Sequence, residues 1–300
     1  MPTLRENKTH IQSVRNTAKI TRAMELVATA KQHRLRARVE STSAFADHSL
    51  QVLNHLASAA ESRVRDDPMF CGYSDVRRLG LLLITSNRGM VGSYNQYIIS
   101  LATRYLEAHR SAAEVITIGR VGRNAMLRQS RQIHADFSQL TDHDDITALT
   151  PVARVVLDGF HDRVFDEVAI AYTQFHMGAR IKPIIRPLLP LCPAPTAERR
   201  QYIYEPAPEE LLMALLPRLI RFQIYQAFLE ALAAENASRM AAMHNATQNA
   251  HHLIDELTIS YHKTRQQEIT SELLDIMGGA SALDQNGRGA QHEDQYDYAS

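Results

Sequence analysis

Glycine is absent from two long stretches of this 300-residue chain, and that absence constrains the fold more than any other feature. None of the twelve glycines lies in the first 71 residues, and none lies in residues 179–277. Residues 218–277 also lack proline. A helix over such a stretch reaches about 90 Å at about 1.5 Å per residue, several times the usual length of about 11 to 12 residues. Both ends are therefore predicted to form long helices.

The apolar residues in these two stretches repeat with helical spacing. In residues 9–60 they recur at alternating intervals of three and four, which places them in one stripe along a helix. Most heptad positions between residues 212 and 271 are also apolar, and such a seam requires a partner helix. Near its end the stripe shifts by one position to Ile269, Leu273 and Ile276. We expect the two ends to cover each other as a long antiparallel coiled coil.

Proline and glycine mark the predicted limits of the second helix. Pro217 either lies in a kink or sets the true start of its long segment. Gly278 and Gly279 are expected to stop it. The residues that follow, 284–300, have no apolar pattern and are predicted to be disordered.

The middle of the chain follows a different pattern, in which short apolar runs alternate with amphipathic segments. The predicted strands are residues 79–85, 114–118, 167–174 and 181–185, and the predicted helices are residues 96–108, 121–129 and 148–161. This alternation predicts a Rossmann-like α/β domain with a mixed or parallel sheet. Five prolines, at 183, 187, 190, 193 and 195, are interpreted as an extended connector.

These patterns divide the chain into four parts. We predict an N-terminal coiled-coil helix (1–65), a central α/β domain (66–207), a C-terminal coiled-coil helix (208–283) and a disordered polar tail (284–300). The break between the first two parts is marked by Pro68 and Gly72.

Charge is balanced overall but uneven along the chain. The sequence has 33 basic and 33 acidic residues. Residues 1–40 alone contain nine Lys or Arg and three Glu, which is 9 − 3 = +6. A solvated helix face and nucleic-acid binding are both possible explanations, but no DNA-binding motif accompanies the charge. We expect a protein neighbour that carries carboxylates.

Two cysteines, Cys71 and Cys192, are too few for a disulfide framework and lack the spacing of a metal or redox motif. The sequence shows neither the apolar stretch of a signal peptide nor about 18 uncharged apolar residues in succession. We interpret the chain as a soluble protein of a reducing compartment that can dock on a membrane complex.

Candidate catalytic and ligand motifs are weak. Residues 85–92 (TSNRGMVG) occupy the position of a phosphate loop but lack Gly-Lys-Ser/Thr, and Gly119–Gly122 lacks a complete GxGxxG. Both are interpreted as structural turns. Three histidines, His244, His251 and His252, have no accompanying metal motif. We predict no catalytic, cofactor-binding or metal-binding residue and no cofactor, so this chain is not expected to be an enzyme by itself.

Two long motifs resemble a known family. Residues 11–31 read IQSVRNTAKITRAMELVATAK, and this run is similar to the opening helix of the gamma subunit of F-type ATP synthase, SVxNTxKITxAMxxVAxAK. The run from Glu235 to Leu283 resembles that family's second motif. Shorter landmarks agree: Asn87-Arg88-Gly89, Leu188-Leu189-Pro190-Leu191 and Tyr204-Glu205-Pro206. The resemblance covers residues 5–283.

This resemblance implies the central rotor shaft of an F-type ATP synthase, which couples ion flow through the membrane c-ring to conformational change in an alpha3-beta3 ring. Nucleotides bind to that ring. The implied partners are the alpha and beta subunits, the epsilon subunit and the c-ring, with no nucleic acid. The implied location is the cytoplasmic side of a bacterial cell membrane, with peripheral association through the complex.

The resemblance also implies contact residues for the beta subunits. They are Lys19, Arg22 and Met24 on the first helix, and Arg239, Gln266 and Thr270 on the second. Three positions depart from the family pattern: Asn87 and Gln248 replace an aspartate, and His244 replaces a lysine. Each change removes or weakens a charge, so we expect altered polar contacts with the ring.

Two other classes of protein remain open on the sequence. A Rossmann-like enzyme would bind a nucleotide or cofactor in its central domain. A coiled-coil scaffold or nucleic-acid binder would form stable oligomers by itself, or bind DNA with strong salt dependence.

Overall fold

A computed structural model of the protein describes residues 3–59, 67–109, 112–176, 180–191 and 205–293. The helices are α1 (Leu4–Ala59), α2 (Pro68–Cys71), α3 (Tyr94–Ala108), α4 (Arg120–Arg128), α5 (Thr150–His161) and α6 (Pro208–Glu293), with a 3-10 turn at Ile146–Leu149. The strands are β1 (Arg78–Ile84), β2 (Ala112–Ile118), β3 (Ile133–Asp136), β4 (Glu167–His176) and β5 (Arg180–Leu189).

Within the described residues, the strands form one sheet in the order β3-β2-β1-β4-β5. The first four strands are parallel, and β5 is antiparallel to β4. The predicted α/β class with a mixed sheet is thereby confirmed. Strand β3 was not predicted, because its four residues alternate between half-buried and exposed and contain no apolar run.

Both faces of the sheet are covered. On β1, Leu81 and Leu83 pack with apolar residues of α3 and α4. The alternate residues Leu82 and Ile84 pack on the opposite face with α5 and with helix segments from the chain ends. Because successive side chains of a strand point to opposite sides, a continuous apolar run such as β1 can fill two cores.

Pro183 and Pro187 lie inside β5, so the prediction that they belong to an extended connector was wrong. Strand β5 bonds only to β4 in the described sheet and is an edge strand. An edge strand tolerates proline because the missing N–H can face away from the ladder. Pro193 and Pro195 lie outside the described residues.

The chain divides into two compact units. We call residues 24–243 the central unit. The terminal unit consists of the described residues up to Ala23 and of those from His244 onward. In the central unit, α1 and α6 run antiparallel. Phe45 of α1 packs edge-on against Phe222 of α6 at 4.6 Å between ring centroids, and Arg38 of α1 donates a hydrogen bond to Tyr225 of α6. A higher residue number on α1 is matched by a lower one on α6.

In the terminal unit, α1 and α6 are also antiparallel neighbours. The hydroxyl oxygens of Thr21 and Thr247 are 2.8 Å apart, and Ile11 and Asn16 share a groove with Thr258 and other residues of α6. The predicted antiparallel pairing of the two chain ends is confirmed in each unit.

The limits of α6 differ from the prediction. The helix begins at Pro208 and contains Pro217, so this proline is not its start. It also continues through Gly278 and Gly279 to Glu293, so the predicted stop and the disorder predicted for 284–293 were wrong. A glycine costs a helix only about 1 kcal/mol, which lowers its stability without ending it. Residues 294–300 lie outside the described part.

Candidate interaction surface

Lys19 and Arg22 form one exposed basic pair on α1. Both side chains are exposed, and their spacing of three residues places them on the same face of the helix. They belong to the terminal unit. Met24, the third predicted contact on α1, is half-buried and belongs to the central unit.

Gln266 and Thr270 form an exposed polar pair on α6, also in the terminal unit. Thr270 Oγ1 donates to the backbone carbonyl of Gln266 at 2.8 Å. Because that proton is used within the helix, the Thr270 oxygen is left as an acceptor, while the Gln266 amide can both donate and accept. The pair therefore suits a polar surface of a partner protein.

Arg239 differs from the other predicted contacts because it is paired within its own helix. Its Nη2 lies 2.7 Å from Glu235 Oε1, and the two side chains are only 15% and 13% exposed. Burial raises the pKa of Glu235 even though Arg239 acts in the opposite direction. A partner that contacts Arg239 must therefore compete with Glu235.

Residues 269–277 of α6 expose large apolar side chains. They are Ile269 at 45%, Leu273 at 56%, Ile276 at 68% and Met277 at 66% exposure. These residues continue the predicted seam, which α1 was expected to cover. In the terminal unit, residues 11–16 of α1 lie beside residues 258–262 of α6, and α1 begins at Leu4. The four side chains from Ile269 to Met277 are nevertheless exposed, so the prediction that α1 covers this part of the seam was wrong.

Part of the basic N-terminal segment is already bound by the protein itself. Lys31 Nζ and Arg34 Nη2 lie 3.0 and 3.1 Å from Asp142 Oδ2. Burial by itself would raise the pKa of Asp142, but the hydrogen bond and charge of Lys31 outweigh it and the pKa is lowered. For these residues, the acidic neighbour expected from the sequence is a loop of the same chain.

The start of α4 has the position of a phosphate site, but its backbone donors are used internally. The bonds are Arg120 N–H to Asn87 Oδ1 at 3.1 Å, Val121 N–H to Ser86 O at 3.2 Å and Gly122 N–H to Thr85 Oγ1 at 2.9 Å. A side chain at Gly119, whose φ is +104°, would overlap the carbonyl oxygen of Thr85. The geometry agrees with the predicted structural turn.

The loop after β1 is braced in a similar way. Ser86 N–H donates to Asn95 Oδ1 at 3.1 Å, and Ser86 Oγ donates to the carbonyl of Arg88 at 2.7 Å. These bonds connect the loop to the start of α3, so residues 85–92 fold on themselves and on α3. This arrangement also agrees with a structural turn.

Neither a metal cluster nor a membrane span is found in the described part of the chain. No group of three or more His, Cys, Asp or Glu side chains there could hold a metal ion. No described helix has both the length and the apolar character that a bilayer crossing requires.

Comparison with solved structures shows the fold. The chain resembles one from the central stalk and c-ring of Tetrahymena thermophila mitochondrial ATP synthase, with 25% identity and a TM-score of 0.59 over 76% of this chain and 99% of that chain. A second resemblance, to a chain of the Euglena gracilis mitochondrial ATP synthase, has a TM-score of 0.66 over 95% of both chains. At 18% identity, this second likeness shows the fold alone.

Comparison of sequences shows the family. The family model described as ATP synthase matches residues 3–283. The chain is 39% identical over 288 residues to the ATP synthase gamma chain of Roseiflexus castenholzii, a match that covers 94% of this chain and 99% of that protein. The chain therefore belongs to the ATP synthase gamma chain family, the central rotor subunit of F-type ATP synthases.

Proposed function

We propose that the paired helices of this chain turn inside a ring of three alpha and three beta subunits and force its catalytic sites through different conformations. The observation that carries this proposal is the antiparallel pairing of two very long helices, α1 with 56 residues and α6 with 86. Within each unit, two packed helices bend less than one chain segment in isolation, which suits a part that carries torque.

The exposed surface of the terminal unit supports this contact with a ring. Its apolar stripe at Ile269, Leu273 and Ile276 needs a cover that the described residues do not provide. The basic pair Lys19 and Arg22 adds polar contacts. Exposed ion pairs contribute only about 0 to 1 kcal/mol each, so they guide a partner without locking it. A shaft that must turn requires contacts of that kind.

Rotation changes the ring because the shaft contacts each subunit differently. A conformational equilibrium shifts only when the ligand interacts differently with the two states. The two helices of the terminal unit offer different charges to a partner. Between residues 4 and 23, α1 contributes five basic residues and one acidic residue. Between residues 244 and 280, α6 contributes five acidic and two basic residues. Beta subunits that face α1 and α6 therefore experience opposite charges.

The central unit is proposed to join the epsilon subunit and the membrane c-ring, so that ion flow drives the shaft. The association with the bacterial membrane is then peripheral, on the cytoplasmic side, and passes through the complex. The chain itself is proposed to be non-catalytic. The start of α4 supports this assignment. A bound phosphate there would need free backbone N–H groups, but the N–H groups of Arg120, Val121 and Gly122 already donate to other atoms of the chain.

Co-expression with alpha and beta subunits from the same source tests the proposal. We expect one copy of the chain to enter each six-membered ring and to confer ATP hydrolysis on it. Adding the epsilon subunit and membrane sector should couple that hydrolysis to ion pumping. A folded chain that stays outside the ring, or a ring whose activity is unaffected by it, contradicts the proposal.

Experiments on the isolated chain separate the two remaining classes. A Rossmann-like enzyme predicts nucleotide or cofactor binding by the isolated chain, and a scaffold predicts stable oligomers of this chain alone. Binding titrations and sedimentation of the isolated chain measure both properties.

A further inference from the structure

An acidic loop connects the helix pair to the sheet in the central unit. We define the acidic loop as residues 140–145, between β3 and the 3-10 turn. Lys31 and Arg34 both reach Asp142 of this loop. Together with Arg38, they occupy positions i, i+3 and i+7, so one face of α1 is directed at the loop.

Arg38 holds three parts of the central unit with one guanidinium group. Its Nη1 donates to the carbonyl of Asp142 at 3.3 Å, and its Nη2 donates to the carbonyl of Asp144 at 3.2 Å and to the hydroxyl of Tyr225 at 2.8 Å. Tyr225 lies on α6 and is buried. Arg38 therefore links α1, the acidic loop and α6.

Asn87 fixes the opposite side of the acidic loop. Its Nδ2 donates to the carbonyl of Leu140 at 2.9 Å, and its Oδ1 accepts from the N–H of Arg120 at 3.1 Å. Asn87 follows the carboxyl end of β1, and Arg120 begins α4. The chain of bonds thus runs from α6 through Arg38 and the loop to the sheet.

This polar connection differs in kind from the apolar core beside it. Leu82 and Ile84 of the sheet belong to the same core as Leu216 and Ile220 of α6. Apolar burial resists separation of the helices from the sheet, but it is non-directional. Hydrogen bonds from a planar guanidinium have fixed directions and weaken steeply when bent. The polar connection is therefore suited to resist sliding and twisting.

We propose that Arg38, the acidic loop and Asn87 form a clasp that fixes the angle between the helix pair and the sheet while the rotor carries torque. Arg38 and Asp142 are positioning residues in this view. The inference rests on the proposed function, since it assigns the clasp a role in rotary coupling.

The test uses the complete complex in sealed vesicles, with Arg38→Ala and Arg38→Lys. ATP hydrolysis and ion pumping are measured in the same preparation. We expect hydrolysis to be retained and the number of ions moved per ATP to fall about fivefold, the lower end for a typical coupling between two sites. Arg38→Lys should behave like Arg38→Ala, because lysine keeps the charge but lacks the planar guanidinium group that donates to three acceptors.

Arg36→Ala is the matched control. Arg36 lies on the same helix and pairs with Glu40 of that helix at 2.8 Å. Among the described residues it forms no hydrogen bond or ion pair with another element. Its ratio of pumping to hydrolysis should equal that of the wild type. An equal fall in the control, or a normal ratio in both Arg38 variants, overturns the proposal.

Tyr225→Phe provides a second route if the Arg38 variants do not assemble. It removes only the acceptor that α6 offers to Arg38, and a fall in its coupling ratio with normal assembly is the expected result. A normal ratio in that variant rejects the clasp. A wild-type chain that fails to enter the ring instead rejects the proposed function, so the two failures are distinguishable.

Discussion

Gln248 Nε2 lies 3.1 Å from His244 Nε2, one turn away on α6. The two positions are those at which the family resemblance implies an aspartate and a lysine. A pair of opposite charges four residues apart is thus replaced here by a polar pair on the exposed surface of the terminal unit. The two departures are therefore neighbours that contact each other within one turn of the helix.

Restoring both charges with His244→Lys and Gln248→Asp should alter the function more than the stability. An exposed pair four residues apart contributes about 0.2 to 0.5 kcal/mol to a helix, so thermal unfolding should hardly change. We expect ATP hydrolysis and ion pumping of the assembled complex to change, because new charges meet the ring. Unchanged activities in the double variant would reject an effect of these positions on the ring contacts.

Asn87→Asp should destabilise the central unit. The amide donates to the carbonyl of Leu140, and a carboxylate at that place would have no proton to donate. Leaving a carbonyl without its donor costs about 1–3 kcal/mol, to be measured by denaturant unfolding near neutral pH. Asn124→Asp, at an exposed position on α4, is the control and should cost much less. An Asn87 variant as stable as the wild type would contradict the internal role that the structure gives this residue.

Thr21 and Thr247 should show a coupling in a double-mutant cycle. Their hydroxyl oxygens are 2.8 Å apart, and Thr247 is buried. Replacing one threonine by valine leaves the other hydroxyl without this bond, whereas replacing both removes the two polar groups together. We expect about 1 kcal/mol for a single change and a smaller loss than the sum for the double change. Purely additive losses of unfolding free energy would exclude a direct bond.

Gly119→Ala should be much more harmful than Gly89→Ala. Gly119 has φ +104°, and its added Cβ would overlap the Thr85 carbonyl, while nothing lies within 4 Å of a Cβ at Gly89. Backbone strain alone costs about 1–3 kcal/mol, and the overlap adds to it. Unfolding of the isolated chain measures both changes. Equal stability of the two variants would show that the turn before α4 adjusts freely.

The contribution of Asp142 should depend on pH. Its folded-state pKa is lowered, so the stability that it contributes is present above the ordinary pKa of an aspartate and is lost as the pH falls through the lower, folded-state pKa. Asp142→Asn should therefore cost roughly 1 kcal/mol near pH 7. The difference from the wild type should begin to shrink only below about pH 4, the ordinary pKa of an aspartate, and should be lost once the pH has fallen below the folded-state pKa. Unfolding curves at several pH values test this expectation. A difference that persists at acid pH would point to lost packing instead.

Much of the architecture follows from the sequence because it depends on local periodicity. The absence of glycine and the three-four spacing from Ile11 to Leu56 predict α1, and the run at β1 predicts a strand buried on two sides. The exposed pair Gln266 and Thr270 was identified from the family motif alone. Its position on α6 required no tertiary information.

The sequence by itself determined the two long helices, the α/β middle and the family, since each is encoded in adjacent or regularly spaced residues. Only the tertiary structure decided which charges are already paired. Lys31 and Asp142 are 111 positions apart along the chain, yet Lys31 Nζ is 3.0 Å from the Asp142 carboxylate. No periodic pattern connects them, because their contact depends on where the sheet directs the acidic loop. The same holds for the apolar stripe at residues 269–277 of α6, whose exposure no local pattern reveals.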